Sequence, residues 1–382
     1  MQACWVTFSK HITNLLLIVG NKILIQILQM KITPFVLFVL FSFCALTCKK
    51  ESPTAPSSGL DTTSHNWNWQ TFTFGGASSS ALYDVAIIND TLAYAVGAVY
   101  LNDSTGQIDQ QPYNLAIWDG KMWRLQKVAY YYQGQPFFGP FQCIYAFSSN
   151  DIWFAGQVHW DGQSFNSMEL PSSVWGSYRV IKMWGTSSAN LYIVGDGGSI
   201  AHYDGSSWTK VESGTSLDFQ DIYGANDSQT NQTEILAVAS ELDINHGNKI
   251  VSIQGTTAVP INSSGLSWSI VGVWFVTDEE YYIVGDGIGQ KHSLQDTSPW
   301  TVYPTAALAK YYSESIRGNA INDIIIVGAY GDILHYNGST WKDYSDQTSL
   351  ANGAFTSVAM KGNLVIAVGG NGPQAVITMG RR

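Results

Sequence analysis

From residue 66 onward, short apolar stretches alternate with polar turns in a unit that repeats along the chain. Each copy has an apolar-x-apolar stretch, an apolar run ending in Val-Gly or a close variant, a Gly-rich turn and a segment ending in Asp-Gly-x-x-Trp. The clearest copy runs from Ile181 to Trp208. Runs of β-branched and aromatic residues predict strands, and Asp-Gly and Asn-Gly pairs predict hairpin turns. The pattern therefore predicts an all-β chain with four short strands per unit, called A to D from the axis outward.

The Val-Gly landmark and its variants recur every ~40 to 60 residues. The positions are Gly97, Gly156, Gly195, Ala239, Gly285, Gly328 and Gly369. Units of about this length, each with several strands, are typical of β-propellers. Seven landmarks predict a seven-bladed β-propeller. A six-bladed ring is the alternative if the divergent copy around Ala239 is not a blade.

The two ends of the repeat region complement each other. The last copy has no Trp-bearing fourth strand, whereas an additional strand-like segment at residues 66–74 precedes the first copy. Pairing these two segments would close the ring and remove free sheet edges, which otherwise invite aggregation. We therefore assign the propeller to residues 66–382, closed by the N-terminal outer strand 66–74.

The tract from Trp184 through Val194 and Gly195 to Trp208 resembles secreted bacterial propellers of the sialidase-like (Asp-box) and photosystem II assembly-factor-like superfamilies. The resemblance extends over residues 66–380. It implies a fold and not an activity, because one fold hosts many functions. The full Asp-box spacing is absent, and residues 203–208 form only a shortened relative of it.

The N-terminal region has a different composition. Residues 1–48 contain no Asp or Glu and carry two apolar runs, both shorter than the ~20 residues of a spanning helix. The second run follows Met30-Lys31 and resembles a secretory signal, which makes Met30 a candidate start. Cys48, followed by Lys-Lys-Glu and a Pro/Ser/Thr-rich stretch, resembles a Bacteroidetes-type lipoprotein.

That resemblance implies a signal segment over residues 1–47, a lipidated Cys48, and a flexible linker over residues 48–65. It also implies an extracytoplasmic outer-membrane lipoprotein, facing the periplasm or the cell surface. An ordinary cleaved signal and an uncleaved anchor remain alternatives. With residues 1–47 removed, Cys48 and Cys143 are the cysteines left, so we expect Cys143 to be a buried thiol.

Composition narrows the choice of partners. The 382 residues include 19 Lys+Arg and 29 Asp+Glu, a net charge of −10, with 13% aromatic and 13% charged side chains. So many aromatic residues and so few charges exclude a disordered chain. The acidic balance argues against nucleic acid as a partner. We expect membrane contact only through the lipid, and a monomeric propeller.

The repeated polar residues favour structural roles. Equivalent histidines fall in different blades, too far apart to ligate one metal ion: His159, His202, His292 and His335. We interpret them as strand C residues that bond a neighbouring blade. The Asp-Gly-Gly turn at Asp196 and the related Asp-Gly turn at Asp286 offer one carboxylate each, too few for calcium. We therefore predict no cofactor and no metal site.

The aromatic loops carry the strongest functional signal. In a propeller the B–C and D–A loops share one face, and the first unit has long loops there, over residues 98–114 and 129–142. Aromatic rings with a polar group suit sugar faces or protein hot spots. Capping of the blades by these rings is the alternative. The candidate ligand-binding residues are Tyr130, Tyr131, Tyr132, Phe137, Phe138, Trp175, Tyr178, Tyr311, Tyr312 and Arg317.

Catalysis is the less favoured hypothesis. The sialidase resemblance implies three arginines that clamp a carboxylate, but this propeller has only Arg124, Arg179 and Arg317 before its terminal pair, with Arg124 expected on an outer strand. We favour non-catalytic recognition of a glycan or an envelope protein. The alternative is a glycosidase or lyase that uses Glu314 or Asp221 near Arg317 at the channel mouth. A structural subunit of an envelope complex is a third class.

Overall fold

The computed structural model describes residues 62–382 except 77, 133–134, 177, 228–231 and 242–246. The signal segment, Cys48 and most of the predicted linker lie outside the described residues. Within the described residues, no helix has the length and apolar character needed to cross a membrane.

Seven four-stranded antiparallel sheets form a seven-bladed β-propeller, so the prediction of seven blades is confirmed and the six-bladed alternative is wrong. Strand β1 (Asn68–Gly75) comes first. The first three blades, with a separate hairpin between the first two, are β2 (Ala81–Asn89), β3 (Leu92–Val99), β4 (Tyr113–Trp118) and β5 (Trp123–Gln126); hairpin β6 (Tyr130–Tyr132) and β7 (Gln135–Phe137); β8 (Ile144–Ser148), β9 (Asp151–Phe154), β10 (Val158–Trp160) and β11 (Phe165–Ser167); and β12 (Val180–Ser187), β13 (Asn190–Gly195), β14 (Ser199–Tyr203) and β15 (Trp208–Val211).

The remaining four blades follow in the same A-to-D order. They are β16 (Phe219–Asn226), β17 (Thr233–Ser240), β18 (Asn248–Gln254) and β19 (Thr257–Ile261); β20 (Ile270–Val276), β21 (Glu280–Gly285), β22 (Gly287–Lys291) and β23 (Thr301–Tyr303); β24 (Ser313–Ala320), β25 (Asp323–Gly328), β26 (Ile333–Tyr336) and β27 (Trp341–Asp343); and β28 (Gly353–Lys361), β29 (Leu364–Asn371) and β30 (Gln374–Arg381) with β1. A 3-10 turn (Asp196–Gly198) and helix α1 (Ser345–Thr348) lie in connections.

The seventh blade combines the two ends of the propeller. Strand β1 pairs antiparallel with β30 from Asn68–Arg381 to Gly75–Gln374 and supplies the outer strand of that sheet. Next to it, side chains from both ends meet the sixth blade: Arg382 and His335 contact Asp323 at 2.8 and 2.9 Å, and His65 contacts His335 at 2.8 Å. We call His65, Asp323, His335 and Arg382 the closure cluster.

The Val-Gly landmark has a steric cause. The innermost strands have a register shift near their first residues, for example between Val180 and Lys182, which is typical of a β-bulge. The shift brings a carbonyl oxygen against the last residue of strand B. A Cβ atom at Gly195 would lie 1.9 Å from the Arg179 oxygen, and one at Gly328 would lie 2.1 Å from the Tyr312 oxygen. Only glycine fits this contact in these two blades, whereas the fourth blade has Ala239 at the equivalent position.

The core lies between adjacent blades, whose strands are apolar on both faces. All six residues of β25 are buried, for example. The outer tryptophans Trp123, Trp208 and Trp300 pack there and are 8%, 7% and 4% exposed, whereas Trp69 and Trp341 are half-buried. Cys143 is a free, buried cysteine, and burial raises the pKa of its thiol.

The prediction that the repeated histidines bond a neighbouring blade is wrong. His159, His202, His292 and His335 bond, in that order, Asp151, Asn190, Glu280 and Asp323, each at or near the start of strand B in the same blade. His159, His202 and His335 lie opposite Trp153, Tyr192 and Ile325, two positions after the residues they bond, so the bonded side chains are diagonal neighbours on one face of the sheet.

Candidate functional site

Two polar networks fill the middle of the central channel. In the first, the Asp84 carboxylate accepts hydrogen bonds from Lys182 Nζ at 2.6 Å, Ser357 Oγ at 2.7 Å and the Ile144 backbone N–H at 3.0 Å. These four residues lie on the innermost strands of blades 1, 3, 7 and 2. The network therefore ties four blades together at the axis.

The second network joins the other three blades. Arg317 on β24 donates to both Asp221 oxygens, at 2.8 and 2.9 Å, and the Val273 N–H donates to Asp221 at 3.0 Å. Burial disfavours the charged form of Arg317 and by itself would lower the pKa of the guanidinium. The charge of Asp221 and its hydrogen bonds have the larger combined effect, so this pKa is raised. The structure thus brings Arg317 to Asp221, as the enzyme hypothesis assumed. In this bidentate pair the guanidinium and the carboxylate are each engaged by the other.

The networks lie between two cavities. One, of about 340 Å³, includes Asp84, Lys182 and Arg317 in its lining and extends toward the A–B connections. The other, of about 170 Å³, includes Lys182 and Asp221 and lies at the end where the innermost strands begin. We call the second one the channel-mouth cavity. The D–A and B–C connections surround this end of the channel, and we call that side of the propeller the loop face.

One residue from each blade lines the channel-mouth cavity, at or near the shifted position where strand A begins. These residues are Tyr83, Gln142, Ile181, Gln220, Val271, Glu314 and Thr356. Glu314 is the acid of the set. It is mostly buried, and burial raises the pKa of its carboxyl to about 7. Among the described residues, none forms a hydrogen bond or ion pair with this carboxylate.

Exposed aromatic rings are concentrated on the loop face. Among the described residues, the aromatic rings more than 45% exposed are Tyr131 at 66%, Tyr178 at 53%, Tyr330 at 51% and Phe137 at 49%, and all four lie in D–A or B–C connections. Tyr131 and Phe137 belong to the hairpin β6–β7, where the sequence had indicated a loop. Asn114 donates to the Val128 and Gly139 oxygens and so ties the base of this hairpin to β4.

The other candidate residues have different surroundings. Tyr130 packs against Phe137 and Phe141, and burial raises the pKa of its hydroxyl to about 12. Phe138 and Tyr311 are half-buried, and Tyr311 lies 4.8 Å from Tyr330 between ring centroids. The side chain of Tyr132 lies outside the described residues.

Two of the candidate aromatic residues are held by the fold. Trp175 is 3% exposed and donates from its indole nitrogen to the Tyr178 oxygen at 2.7 Å, so its ring is part of the core. The Tyr312 hydroxyl bonds Ser269 Oγ at 2.5 Å. These two residues and Arg317 are therefore not part of the exposed surface of the loop face.

The described loop-face connections are rich in acids. Their basic residues are Lys127, Arg179 and Lys310, and the first two are paired with Asp109 at 2.5 Å and Asp196 at 2.8 Å. Acids without a basic partner include Asp332, where burial raises the carboxyl pKa to about 6. The loop face therefore favours a partner that brings positive charge.

The arginines that the sialidase resemblance implied do not come together. Arg124 lies on the outer strand β5 and pairs with Asp119, Arg179 pairs with Asp196, and Arg317 pairs with Asp221 inside the channel. Among the described residues, no group of three His, Cys, Asp or Glu side chains is arranged to hold a metal ion.

Sequence reasoning placed Asp221 near Arg317 but missed the first network, of Asp84, Lys182 and Ser357. Asp84 and Lys182 are 98 residues apart, and Asp221 and Arg317 are 96 apart. Asp84 and Lys182 lie at the same distance before the landmark glycines of their blades, Gly97 and Gly195, and this common position is a signal that could have found the first network.

Fold and channel together define a seven-bladed β-propeller with a polar centre. Comparison with solved structures finds proteins of similar fold. One is YCF48 bound to a D1 peptide, with a TM-score of 0.60 and 16% sequence identity over 85% of this chain and 99% of that chain. YCF48 from Cyanidioschyzon merolae has a TM-score of 0.54 and 14% identity over 81% of this chain and 98% of that chain. The WD40 propeller domain of Doa1 has a TM-score of 0.57 and 12% identity over 82% of this chain and 97% of that chain. No protein-family model and no curated protein matches the sequence.

Proposed function

We propose that this chain is a non-catalytic binding protein that holds a protein partner against the loop face. The concentration of exposed aromatic rings on this face carries the proposal. Exposed apolar surface of this kind marks interaction sites, and aromatic side chains are frequent hot spots of protein interfaces. A propeller of similar fold, YCF48, has a D1 peptide bound, which supports a peptide or protein as the class of ligand.

Site-specific photocrosslinking tests this proposal in the full chain. Benzoylphenylalanine in place of Tyr131, Tyr178 or Tyr330 should give adducts with one common partner. The matched control is Met122, which is 53% exposed but lies in the C–D turn before β5, at the opposite end of its blade. Equal crosslinking from position 122, or none at the three loop positions, would contradict the proposal. The purified partner should bind the Tyr131→Ala variant about tenfold more weakly, because a hot-spot aromatic contributes ~1.4 kcal/mol or more.

A glycan is the alternative ligand, because exposed tyrosine rings also stack on sugar faces. Affinity electrophoresis against a polysaccharide panel separates the two. Retention of the wild-type chain that is lost in Tyr131→Ala and Tyr178→Ala, with unchanged melting temperature, would identify a glycan ligand. Trp175 is unsuitable for this test because it lies in the core.

We also propose that the propeller is attached to the outer membrane through lipidated Cys48, with residues 48–65 as the tether. The support comes from the sequence: an apolar segment, a cysteine, and a Pro/Ser/Thr-rich stretch. Labelling with radioactive palmitate should mark the wild-type chain and not Cys48→Ala. Incorporation that persists in the variant would rule out this anchor.

A glycan-cleaving enzyme is the second candidate, and the raised pKa of Glu314 favours it because a general acid needs a pKa near the working pH. Most glycosidases use two carboxylates, however. The other carboxylate lining the channel-mouth cavity, Asp221, is engaged by Arg317. Product release from a glycan panel that disappears in Glu314→Gln would establish catalysis and overturn the binding proposal.

A further inference from the structure

We infer that the channel-mouth cavity is a subsite for one positively charged side chain, lysine or arginine, which the protein partner inserts at the centre of the loop face. The inference rests on the proposed function and adds to it the chemistry of the central contact. The observation behind it is a mostly buried carboxylate, that of Glu314, in a cavity whose described lining residues supply no free cation.

The charges around Glu314 are already used. Lys182 and Arg317 are the cations nearest the channel centre, and they bond Asp84 at 2.6 Å and Asp221 at 2.8 Å. Tyr312 lies close enough to interact electrostatically with Glu314, but its hydroxyl bonds Ser269. A positive charge brought from outside would therefore find an unused acceptor.

The other blades show that this position does not require an acid. The equivalent residue in the second and fourth blades is glutamine, and Gln220 donates to the Ser240 oxygen at 2.9 Å. An amide is thus compatible with the ring of residues around the channel mouth. Burying a carboxylate without a partner costs free energy, and a bound cation removes that cost.

The cavity has the size for one side chain. Its volume of about 170 Å³ holds about five water molecules, and it is smaller than the ~300 to 1,000 Å³ of sites for whole small molecules. Ile181 and Val271 give the wall apolar patches next to the carboxylate. Long cationic side chains bury their methylene stem on such surface and place the charge at the polar end.

Side-chain analogues test the subsite without the partner. The probes are butylammonium and propylguanidinium, with 1-pentanol as a neutral analogue, titrated into the full chain carrying 13C-labelled Ile and Val methyl groups. Both cations should shift the Ile181 and Val271 methyl signals in a saturable manner. The methyl signals of Ile87 and Val358, which line the other channel cavity of about 340 Å³, should not shift. We expect 1-pentanol to bind at least tenfold more weakly.

Two variants make the test specific. Glu314→Gln should weaken binding of both cations at least tenfold and leave the binding of 1-pentanol unchanged. The matched control is Glu212→Gln, which removes an exposed loop-face acid that pairs with Lys210 at 2.8 Å, and it should leave cation binding unchanged. Equal cation affinity in Glu314→Gln, or no response at Ile181 and Val271, would overturn the inference. Crosslinking from Tyr131 is unaffected by that result, so this failure is distinct from failure of the proposed function.

Discussion

Two buried acids of the sixth blade have opposite environments. Asp323, the first residue of β25, is 3% exposed and bonds His335, Arg382 and Asn319. Burial opposes its ionisation, but these hydrogen bonds outweigh burial and lower the pKa of the carboxyl. Glu314, on the adjacent strand β24, has no such donors in the described part of the chain, and burial alone raises its pKa to about 7.

The difference separates a structural acid from a candidate ligand-binding acid. The partners of Asp323 come from the sixth blade and from the C-terminal residue, so its charge helps to hold the ring closed. Glu314 faces a cavity, and its charge destabilises the empty protein. Perturbed carboxylates cluster at functional sites for this reason, although structural networks also shift pKa values. Both carboxyls are shielded from water, and the hydrogen-bond donors around Asp323 are what distinguish it from Glu314.

The largest expected effect is at the closure cluster. Asp323→Ala should lower the free energy of unfolding by about 3–5 kcal/mol, because it leaves the Arg382 guanidinium and His335 without their buried carboxylate. Denaturant unfolding measures this. Arg124→Ala, which removes an exposed pair with Asp119, is the matched control and should leave stability near the wild-type value. A similar loss in both variants would mean that Asp323 does not hold the ring closed.

The second prediction concerns the pH dependence caused by Glu314. The folded pKa of about 7 is above the ordinary value of 4.5, so the folded state holds its proton longer and stability falls as pH rises from about 4.5 to about 7. Glu314→Gln should therefore be more stable than the wild type by about 1–3 kcal/mol at pH 8 and equal to it at pH 4. Tyr83, Tyr312, Lys182 and Asp221 are the other titratable groups near the cavity.

Chemical denaturation at several pH values provides the measurement. A variant less stable than the wild type at pH 8 would show that Glu314 has a stabilising partner in solution. The difference between Asp323 and Glu314 would then disappear. Stability equal at every pH would show that solvent reaches the carboxylate freely.

The smallest effect is expected at His65. Burial, His335 and Lys342 lower the pKa of His65 in that order of importance, so its contribution to stability is present above pH ~6.5 and is lost as pH falls through the folded pKa. His65→Ala removes the contact with His335 and should cost about 0.5–1.5 kcal/mol at pH 8. The loss of stability as pH falls below ~6.5 should therefore be smaller in this variant than in the wild type. An unchanged loss in this range would show that His65 does not cause it, and Asp323 is not the cause either, because the pKa of its carboxyl is lowered from 3.8.

The repeat could be predicted from the sequence because each blade has to satisfy the same local packing constraints. Glycine after the strand B valine avoids a carbonyl oxygen of strand A, as at Gly195 and Gly328. The outer tryptophans fill the space between blades. These requirements recur in every blade with few exceptions, so they leave a periodic signal. The position of β1 followed from the missing outer strand of the last copy.

The exposed residues of the site could be predicted only in part from the sequence. Tyr131 and Tyr178 have exposed rings, as a loop-face ligand requires, whereas Trp175 is buried under its own loop. A local sequence does not reveal which ring of an aromatic loop packs inward, because that depends on the neighbouring blade. The repeated histidines were assigned to the wrong blade because the repeat pattern gives their strand but not the residue that each imidazole bonds.

The number of blades, the order of their strands and the closure by an N-terminal strand could be predicted from the sequence, because repeated packing constraints and strand count are local properties that recur along the chain. The charge pairs at the axis, in contrast, form only in the folded ring. Asp84 with Lys182, and Asp221 with Arg317, pair across blades, whereas Glu314 stays without a cation among the described residues. Pairing depends on distances across the ring, which no single repeat encodes.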